Sequence, residues 1–237
     1  MIEVYPPWAG MPRERPNLLP WVRIPSARIE AGELARLRWD RNCGANAIAA
    51  LMALVVIAHH ANQETGKAKL TWTELTDCTS VSRAKLGAGL RLLSAMNLIA
   101  CGSGGRSTFQ LLGFDPLEGW AMLPARGLYG REGSITSFRD FTLRSRSELD
   151  ALKIYLVIAT RRSRSINAAL LSYDKITFYS GVHQSQIRRA LSLLAAHNLI
   201  HISTLPSEVN QFGVANMYRL VHLEPRKHAG TIGRLSM

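Results

Sequence analysis

Residues 90–99 read LRLLSAMNLI, and residues 191–200 read LSLLAAHNLI. A shift of 101 residues superposes the whole of 51–99 on 152–200 without a gap, with 15 identities in 49 positions. Two unrelated leucine-rich helices would not keep their register across an intervening loop. We therefore interpret the similarity as one supersecondary unit that is present twice.

Both copies contain the same order of local patterns. A strongly apolar helix is predicted over 45–63 and again over 147–162, and a short loop and a short helical segment follow each. An amphipathic helix comes next, with apolar positions Val81, Leu86, Leu90 and Leu93 in the first copy and Val182, Ile187, Leu191 and Leu194 in the second. We expect helix N-caps among the polar residues at its start, which are Ser80, Ser82, Ser180 and His183.

The pattern after each amphipathic helix is that of a β-hairpin. The helices are predicted to end at Asn97 and Asn198, and alternating apolar residues around a turn follow each of them. The predicted fold class is mainly α with small β-hairpins (α+β), arranged as two tandem winged helix-turn-helix domains. The predicted organisation is an extended Pro-rich arm (1–20), a first winged-helix domain (21–118), a second one (119–224) and a basic C-terminal tail (225–237).

The stretch LTWTELTDCTSVSRAKLGAGLRLLSAMNLI (70–99) resembles bacterial winged-helix proteins, in which a Ser/Arg-rich start opens the recognition helix and Asn-Leu-Ile leads into the wing. The resemblance covers roughly 45–114 and 147–223. Two such units in tandem are similar to iteron-binding replication initiators of plasmids and mobile elements. In that family both winged helices face DNA, and the N-terminal one often also makes the dimer contact. Tandem winged helices also occur in transcription regulators and in kite-type condensin subunits.

Charge is distributed unevenly between the two halves. The net charge is +12, which attracts polyanions such as nucleic acid or an anionic membrane face. Residues 1–118 carry 13 Lys/Arg against 10 Asp/Glu, whereas residues 119–237 carry 16 against 7. Thirteen of those sixteen are arginine, whose planar guanidinium suits phosphate and guanine. The second copy is therefore the predicted primary DNA reader.

Candidate DNA-binding residues lie on the outward faces of the two amphipathic helices, because a recognition helix places its first turns in the major groove. They are His183, Gln184, Gln186, Arg188 and Arg189 in the second copy and Ser82, Arg83, Lys85 and Arg91 in the first. A solvated polar helix face is the alternative. Gly87 and Gly89 indicate either a close approach by a phosphate, a base edge or another helix, or tight packing within the chain.

Further arginines flank the first helix of the second copy and occupy the first hairpin. Clusters of this kind commonly neutralise phosphates, although a basic loop without a partner is the alternative. The candidates are Arg144, Arg146, Arg161, Arg162, Arg164 and, at the first wing tip, Arg106. The second wing tip (206–213) has no basic residue, which departs from a DNA-gripping wing.

Catalytic and metal-binding motifs are not found in the sequence, so we expect no enzyme activity, no cofactor and no metal. His59 and His60 are adjacent in a helix and would face different directions, which is poor geometry for a metal. The three cysteines form no CxxC pair and fit a reducing cytoplasm. The longest apolar run, 47–58, is too short to cross a bilayer, so we expect a cytoplasmic, nucleoid-associated protein and no membrane contact.

These patterns predict sequence-specific binding of double-stranded DNA, by a replication initiator or a transcription regulator. The first domain is expected to be an auxiliary reader, or the contact to a second copy or a protein partner. The alternative is a tandem winged-helix (kite-like) interaction subunit of a larger protein–nucleic-acid complex. An RNA-binding adaptor is a third interpretation, since charge alone does not separate duplex types.

Overall fold

The computed structural model describes residues 17–40, 43–102, 107–206 and 214–223. Most of the predicted N-terminal arm, the wing-tip residue Arg106, nearly all of the second wing tip and the basic tail lie outside these residues. Within the described part the fold is α+β, as predicted, with helices packed on small antiparallel sheets. The α-helices are α1 (Ala27–Glu30), α2 (Gly44–His60), α3 (Trp72–Thr79), α4 (Arg83–Ala95), α5 (Arg146–Thr160), α6 (Tyr173–Ser180) and α7 (Gln184–Ala196).

In the part of the chain that the structure describes, the strands form one two-stranded sheet and two three-stranded sheets. They are β1 (Trp21–Pro25), β2 (Lys67–Lys69), β3 (Ile99–Cys101), β4 (Thr108–Leu111), β5 (Trp120–Pro124), β6 (Ala169–Leu170), β7 (Ile200–Pro206) and β8 (Val214–Leu220). The strand orders are β1-β5, β2-β4-β3 and β6-β8-β7. Short 3₁₀ helices span Glu33–Arg36, Arg126–Leu128 and Thr136–Phe138.

The two halves of the chain repeat the same element order at the offset seen in the sequence. Helices α3 and α4 recur 101 residues later as α6 and α7 with the same lengths. Helix α2 is apolar around its whole circumference and is buried from Ala47 to His59, because α4, α5 and β1 pack around it. Helix α5 has the equivalent place in the second half. The two central helices also contact each other.

The turns before α4 and α7 contain the same pair of side-chain hydrogen bonds. The hydroxyl of Thr79 donates to the Leu75 carbonyl at 2.6 Å and accepts from the Val81 amide at 3.2 Å. Ser180 makes the same pair of bonds one repeat later. The prediction of N-caps at Ser80 and Ser180 is therefore wrong. Ser80 is the left-handed residue that ends α3, with φ 58°, and Ser180 is the last residue of α6. The N-caps are Ser82 and His183.

Left-handed asparagines lead from each amphipathic helix into its hairpin. Asn97 and Asn198 both have φ 54°, a conformation that asparagine tolerates better than most residues. The next amide donates back into the helix at 2.9 Å, from Leu98 to the Leu93 carbonyl and from Leu199 to the Leu194 carbonyl. This geometry closes the helix and starts the strand.

The two-stranded sheet joins the two halves. Strands β1 and β5 occupy similar positions in the repeat and pair with each other, with Arg23 directly opposite Met122. Val22, Ile24, Ala121 and Leu123 point into the core and are buried. One continuous hydrophobic core runs through both halves. The unit boundary predicted at 118/119 therefore lies just before a strand that pairs with the first half.

Candidate nucleic-acid interface

Helix α7 presents a polar face opposite its apolar stripe. Ile187, Ala190, Leu191 and Leu194 are buried, while Gln184, Ser185, Arg188 and Arg189 are exposed. Positions 184 and 188, and 185 and 189, are separated by four residues and so line up along the outer surface of the helix. Gln186 lies half-buried on the flank of this face.

Three of the five predicted α7 residues make contacts within the chain, and the longest is that of Gln186, whose side-chain amide donates to the Ser185 hydroxyl at 3.5 Å. His183 caps the helix: its Nδ1 accepts from the Ser185 amide at 3.3 Å and lies 2.8 Å from the Ser185 hydroxyl. The side-chain amide of Gln184 donates to the Asp174 carboxylate. Arg188 and Arg189 differ, because neither has a hydrogen bond or an ion pair to any described residue. Their guanidinium groups are free to bind an external acceptor.

Helix α4 has a matching but weaker polar face. Ser82 is its N-cap residue, but the Ser82 side chain makes no capping hydrogen bond. Arg83 donates to the Thr73 hydroxyl at 3.2 Å. In the second half, Gln184 and Asp174 occupy the matching positions and form the matching hydrogen bond. Lys85 donates to the Asn46 side-chain oxygen at 3.2 Å. Arg91 is exposed, one turn after Gly87. Arg83 and Lys85 therefore carry intramolecular bonds that Arg188 and Arg189 lack, whereas Arg91 has no hydrogen bond or ion pair to any described residue.

The two glycines of α4 have different surroundings. A Cβ at Gly89 would lie 2.7 Å from the Ala50 amide nitrogen, so this glycine is required by tight packing of α4 on α2. A Cβ at Gly87 would lie 3.8 Å from its nearest neighbours, the ends of the Arg91 and Trp72 side chains. Packing within the chain does not require Gly87. It lines a groove of about 380 Å³ between α4 and the β3–β4 hairpin, together with Trp72, Arg91 and Phe109.

The arginines near α5 do not form one cluster. Arg144 and Arg146 lie at the start of the helix, where the Arg146 Nε is 3.4 Å from an Asp150 oxygen. Residues 161–164 follow the other end of the helix. The two ends of α5 are about 22 Å apart, because the helix has fifteen residues at 1.5 Å each. Both Arg144 and Arg146 are exposed, as a phosphate contact would require.

The arginines after α5 point in different directions. Arg161 lies 3.7 Å from Glu30 and packs over the Tyr179 ring. Arg162 is half-buried and donates to the Asn167 side-chain oxygen at 2.8 Å. Burial, and then the charge of Arg164, lower the pKa of Arg162. Arg162 therefore has a structural contact that the sequence pattern did not indicate.

Sequence analysis missed a cationic and aromatic surface on the joining sheet. Trp21, Arg23, Trp120 and Met122 share the outward face of β1 and β5, and Arg162 and Arg164 reach it from the loop after α5. Neither strand alternates clearly between polar and apolar residues, because the outward positions include Trp21, Trp120 and Met122. The sequence also gives no signal that β1 and β5 are partners.

Buried titratable groups gather where α2 ends. The Nδ1 of His59 lies 3.0 Å from the Tyr129 hydroxyl, and burial, followed by the charge of His60, lowers the pKa of His59 to about 3. Burial, and then the carboxylates of Asp77 and Glu74, raise the pKa of Cys78 to about 12. His59 and Cys78 are thus uncharged at neutral pH. No group of three or more His, Cys, Asp or Glu side chains in the described ranges is placed to hold a metal ion.

A second buried pair lies in α5. Lys153 is buried and donates to the Leu37 carbonyl at 3.1 Å. Burial lowers the pKa of Lys153 to about 8, against the opposing effect of the Asp150 charge. Burial also raises the pKa of Asp150. This pair ties α5 to the segment before α2 and lies inside the fold, away from the exposed face of α7.

None of the helices in the described part of the chain has both the length and the apolar character needed to cross a bilayer. The sequence matches no protein-family model and no curated protein.

Proposed function

We propose that the chain binds double-stranded DNA in a sequence-specific manner, with α7 as the primary reading helix and α4 as the secondary one. The observation that carries this proposal is the exposed pair Arg188 and Arg189 on the outer face of α7, without partners among the described residues. Arginine binds guanine bidentately in the major groove or binds phosphate. The adjacent Gln184 keeps its side-chain oxygen available for a base or a sugar.

The order of elements supports two tandem winged helix-turn-helix units as the framework. In each half a short helix, a left-handed turn and an amphipathic helix precede a hairpin, and in that architecture the third helix enters the major groove. Two reading helices on one rigid core would recognise two sites at a fixed separation. We propose that this arrangement serves a replication initiator of a plasmid or mobile element, or a transcription regulator.

Selection from random DNA duplexes followed by footprinting tests the proposal. We expect enrichment of a defined sequence that covers two successive major grooves. We also expect log affinity to fall linearly with log salt, by about 0.9 for each phosphate contacted. Enriched direct repeats would support an initiator, and a palindrome would support a dimeric regulator. A duplex RNA of the enriched sequence serves as the control. Equal affinity for it, or no enrichment, contradicts the proposal.

Exposed apolar side chains on the second hairpin and on α6 favour a second candidate function. Ile202 and Leu205 on β7 are 44% and 38% exposed, and Phe178 on α6 is 73% exposed. Such residues suit a protein contact, as expected for a kite-like interaction subunit. The groove beside Gly87 offers a further contact for a second copy or a partner. This candidate predicts weak duplex binding without a footprint, so the same experiment distinguishes the two functions.

A further inference from the structure

The outward face of the joining sheet combines aromatic and cationic groups. We call Trp21, Arg23, Trp120, Met122, Arg162 and Arg164 the Arg–Trp face. The two indole rings are nearly parallel, with an angle of 13° and centroids 6.1 Å apart. The Arg23 guanidinium lies 4.9 Å from the centroid of the Trp120 ring and 5.7 Å from that of Trp21. The Arg164 guanidinium lies 4.4 Å from Trp120.

Stacking fixes the arginines and leaves part of their hydrogen-bonding capacity available. A guanidinium that lies over an indole is held by cation–π attraction, and its N–H groups point sideways in its own plane. Because the rings already carry these guanidinium groups, they are poor platforms for a nucleic-acid base. The face is therefore suited to an oxygen anion that approaches the edges of the arginines.

Among the described residues, no carboxylate forms an ion pair with the cations of the Arg–Trp face. Arg23, Arg162 and Arg164 form no ion pair within the ranges that the structure describes. Arg23 reaches the Gln63 carbonyl only at 3.5 Å, and an Nη of Arg162 lies 3.4 Å from the Met122 sulfur. The Nε of Arg23, the Nε of Arg162 and the indole N–H of Trp120 are buried without an acceptor in the described residues.

This face lies away from the start of α4. Lys85 contacts Asn46 near the beginning of α2, whereas Gln63, which accepts from the Arg23 amide at 2.7 Å, follows the end of α2. Helix α2 has seventeen residues and is about 25 Å long. A duplex read by the first turns of α4 is thus separated from the Arg–Trp face by the length of α2. The face therefore requires an explanation other than a duplex bound by α4.

Its chemistry favours carboxylates carried on a peptide. Trp21, Trp120 and Met122 supply apolar surface between the three arginines, and a phosphate strand offers little apolar surface in return. A peptide that alternates acidic and apolar side chains complements both, and carboxylates bind guanidinium edges bidentately. We propose that the Arg–Trp face is a docking site for an acidic segment of a partner protein. This site is additional to the DNA-reading helices and does not depend on them.

Anisotropy titration with two ligands tests the proposal on the full chain. One ligand is a short fluorescein-labelled peptide of glutamate and leucine, and the other is a labelled DNA duplex. Arg23→Gln should weaken peptide binding roughly tenfold, equivalent to about 1.4 kcal/mol, and leave duplex binding unchanged. Arg188→Gln removes the same charge from α7 and should weaken duplex binding while leaving peptide binding unchanged. Arg23→Lys keeps the charge but not the planar fork, so it should weaken peptide binding by a smaller factor than Arg23→Gln.

The outcomes separate this proposal from the proposed function. If the Arg23→Gln variant binds the peptide as tightly as the wild type, the docking site is overturned. If that variant instead loses duplex affinity and keeps peptide affinity, the face contacts DNA. If the glutamine variant loses affinity for both ligands, the lysine variant is measured next. Retained duplex binding with weakened peptide binding in the lysine variant supports the docking site, and any other result overturns it. A wild-type chain that binds the peptide but no duplex overturns the DNA-binding function alone.

Discussion

Helices α4 and α7 occupy matching places in the two halves of the molecule, yet their surfaces differ. The apolar stripe is the same, with Leu86, Leu90 and Leu93 answered by Ile187, Leu191 and Leu194. The outer face changes from glycine and alanine at 87 and 88 to arginine at 188 and 189. A shared core with different surfaces indicates that the repeat conserves packing and leaves the outer face to specialise. The differences between the halves can be measured one at a time.

Acid stability should show the largest difference between the halves. Unfolded His59 binds a proton near pH 6.5, whereas the folded protein binds it only near pH 3. The unfolded chain therefore holds more protons between these values. Stability should fall as the pH falls from about 6.5 towards 3, at up to about 1.4 kcal/mol per pH unit, or about 3 kcal/mol by pH 4.

Urea unfolding from pH 7 to pH 4 measures this effect. His59→Phe keeps an aromatic ring against Tyr129 and removes the titration, so its stability should depend less on pH than that of the wild type. The matching position in the second half is Thr160, which does not titrate, and Thr160→Val should keep the wild-type slope. A His59→Phe protein with the wild-type slope would assign acid sensitivity to other groups.

DNA affinity should depend more on α7 than on α4. Arg188→Ala with Arg189→Ala removes two cations that have no partner in the described chain, and we expect a loss of roughly 100-fold, or about 1–3 kcal/mol for each contact. Arg83→Ala with Lys85→Ala removes the same charge from α4. Because both of those side chains already bond within the chain, we expect only about a tenfold loss. A gel-shift titration measures both variants. Equal losses of DNA affinity, or no loss, would contradict the proposal that α7 is the primary reading helix and α4 the secondary one.

The two glycines of α4 should respond to alanine with opposite signs. At Gly89 a methyl group would press on the Ala50 backbone, and such overpacking typically costs about 1–3 kcal/mol. At Gly87 the methyl group meets ordinary contacts, so the gain in helix propensity should stabilise the protein by about 1 kcal/mol. The second half already has alanine at 190 and arginine at 188. Urea unfolding measures the free energy of unfolding of both variants. A change of the same sign in both would contradict the assignment of Gly89 to packing.

Local periodicity predicted most of the fold. The apolar stripes placed α2, α4, α5 and α7 to within three residues of their ends, because burial of one helix face is visible in sequence spacing. The N-caps were harder to predict. Serine serves both ends of a helix, so Ser80 and Ser180 looked like caps of the next helix while they completed the previous one.

Interactions between distant parts of the chain could not be predicted. The pairing of β1 with β5 connects residues about a hundred positions apart, and it creates the Arg–Trp face from two strands that each look ordinary. The arginines after α5 form one run in the sequence, but Arg161 packs on α6 whereas Arg162 and Arg164 pack on the joining sheet. Charge can be counted from the sequence, whereas the partner of each charge depends on tertiary structure.

The N-caps of α3 and α6 should give the smallest difference between the halves. Thr71 accepts from the Glu74 amide at 3.1 Å, and the Glu74 carboxylate accepts from the Thr71 amide at 2.6 Å, which is a complete capping box. Ser172 accepts from the Lys175 amide at 3.3 Å, and a lysine side chain cannot return the bond. Thr71→Ala should therefore cost about 1 kcal/mol and Ser172→Ala about half of that.

The pH dependence of that small difference tests its cause. The bonds from Thr71 lower the pKa of Glu74, so the stability that they supply is present above the ordinary value of 4.5 and is lost as the pH falls through the lower folded value. The gap between Thr71→Ala and Ser172→Ala in urea unfolding should then close in acid. When both variants are made in a Glu74→Ala background, which leaves the Thr71 hydroxyl in place, the gap should be smaller at neutral pH as well. A gap that persists unchanged in acid would mean that threonine and serine differ in packing, because the Glu74 carboxylate accepts from the Thr71 amide and hydroxyl most strongly when it is ionised.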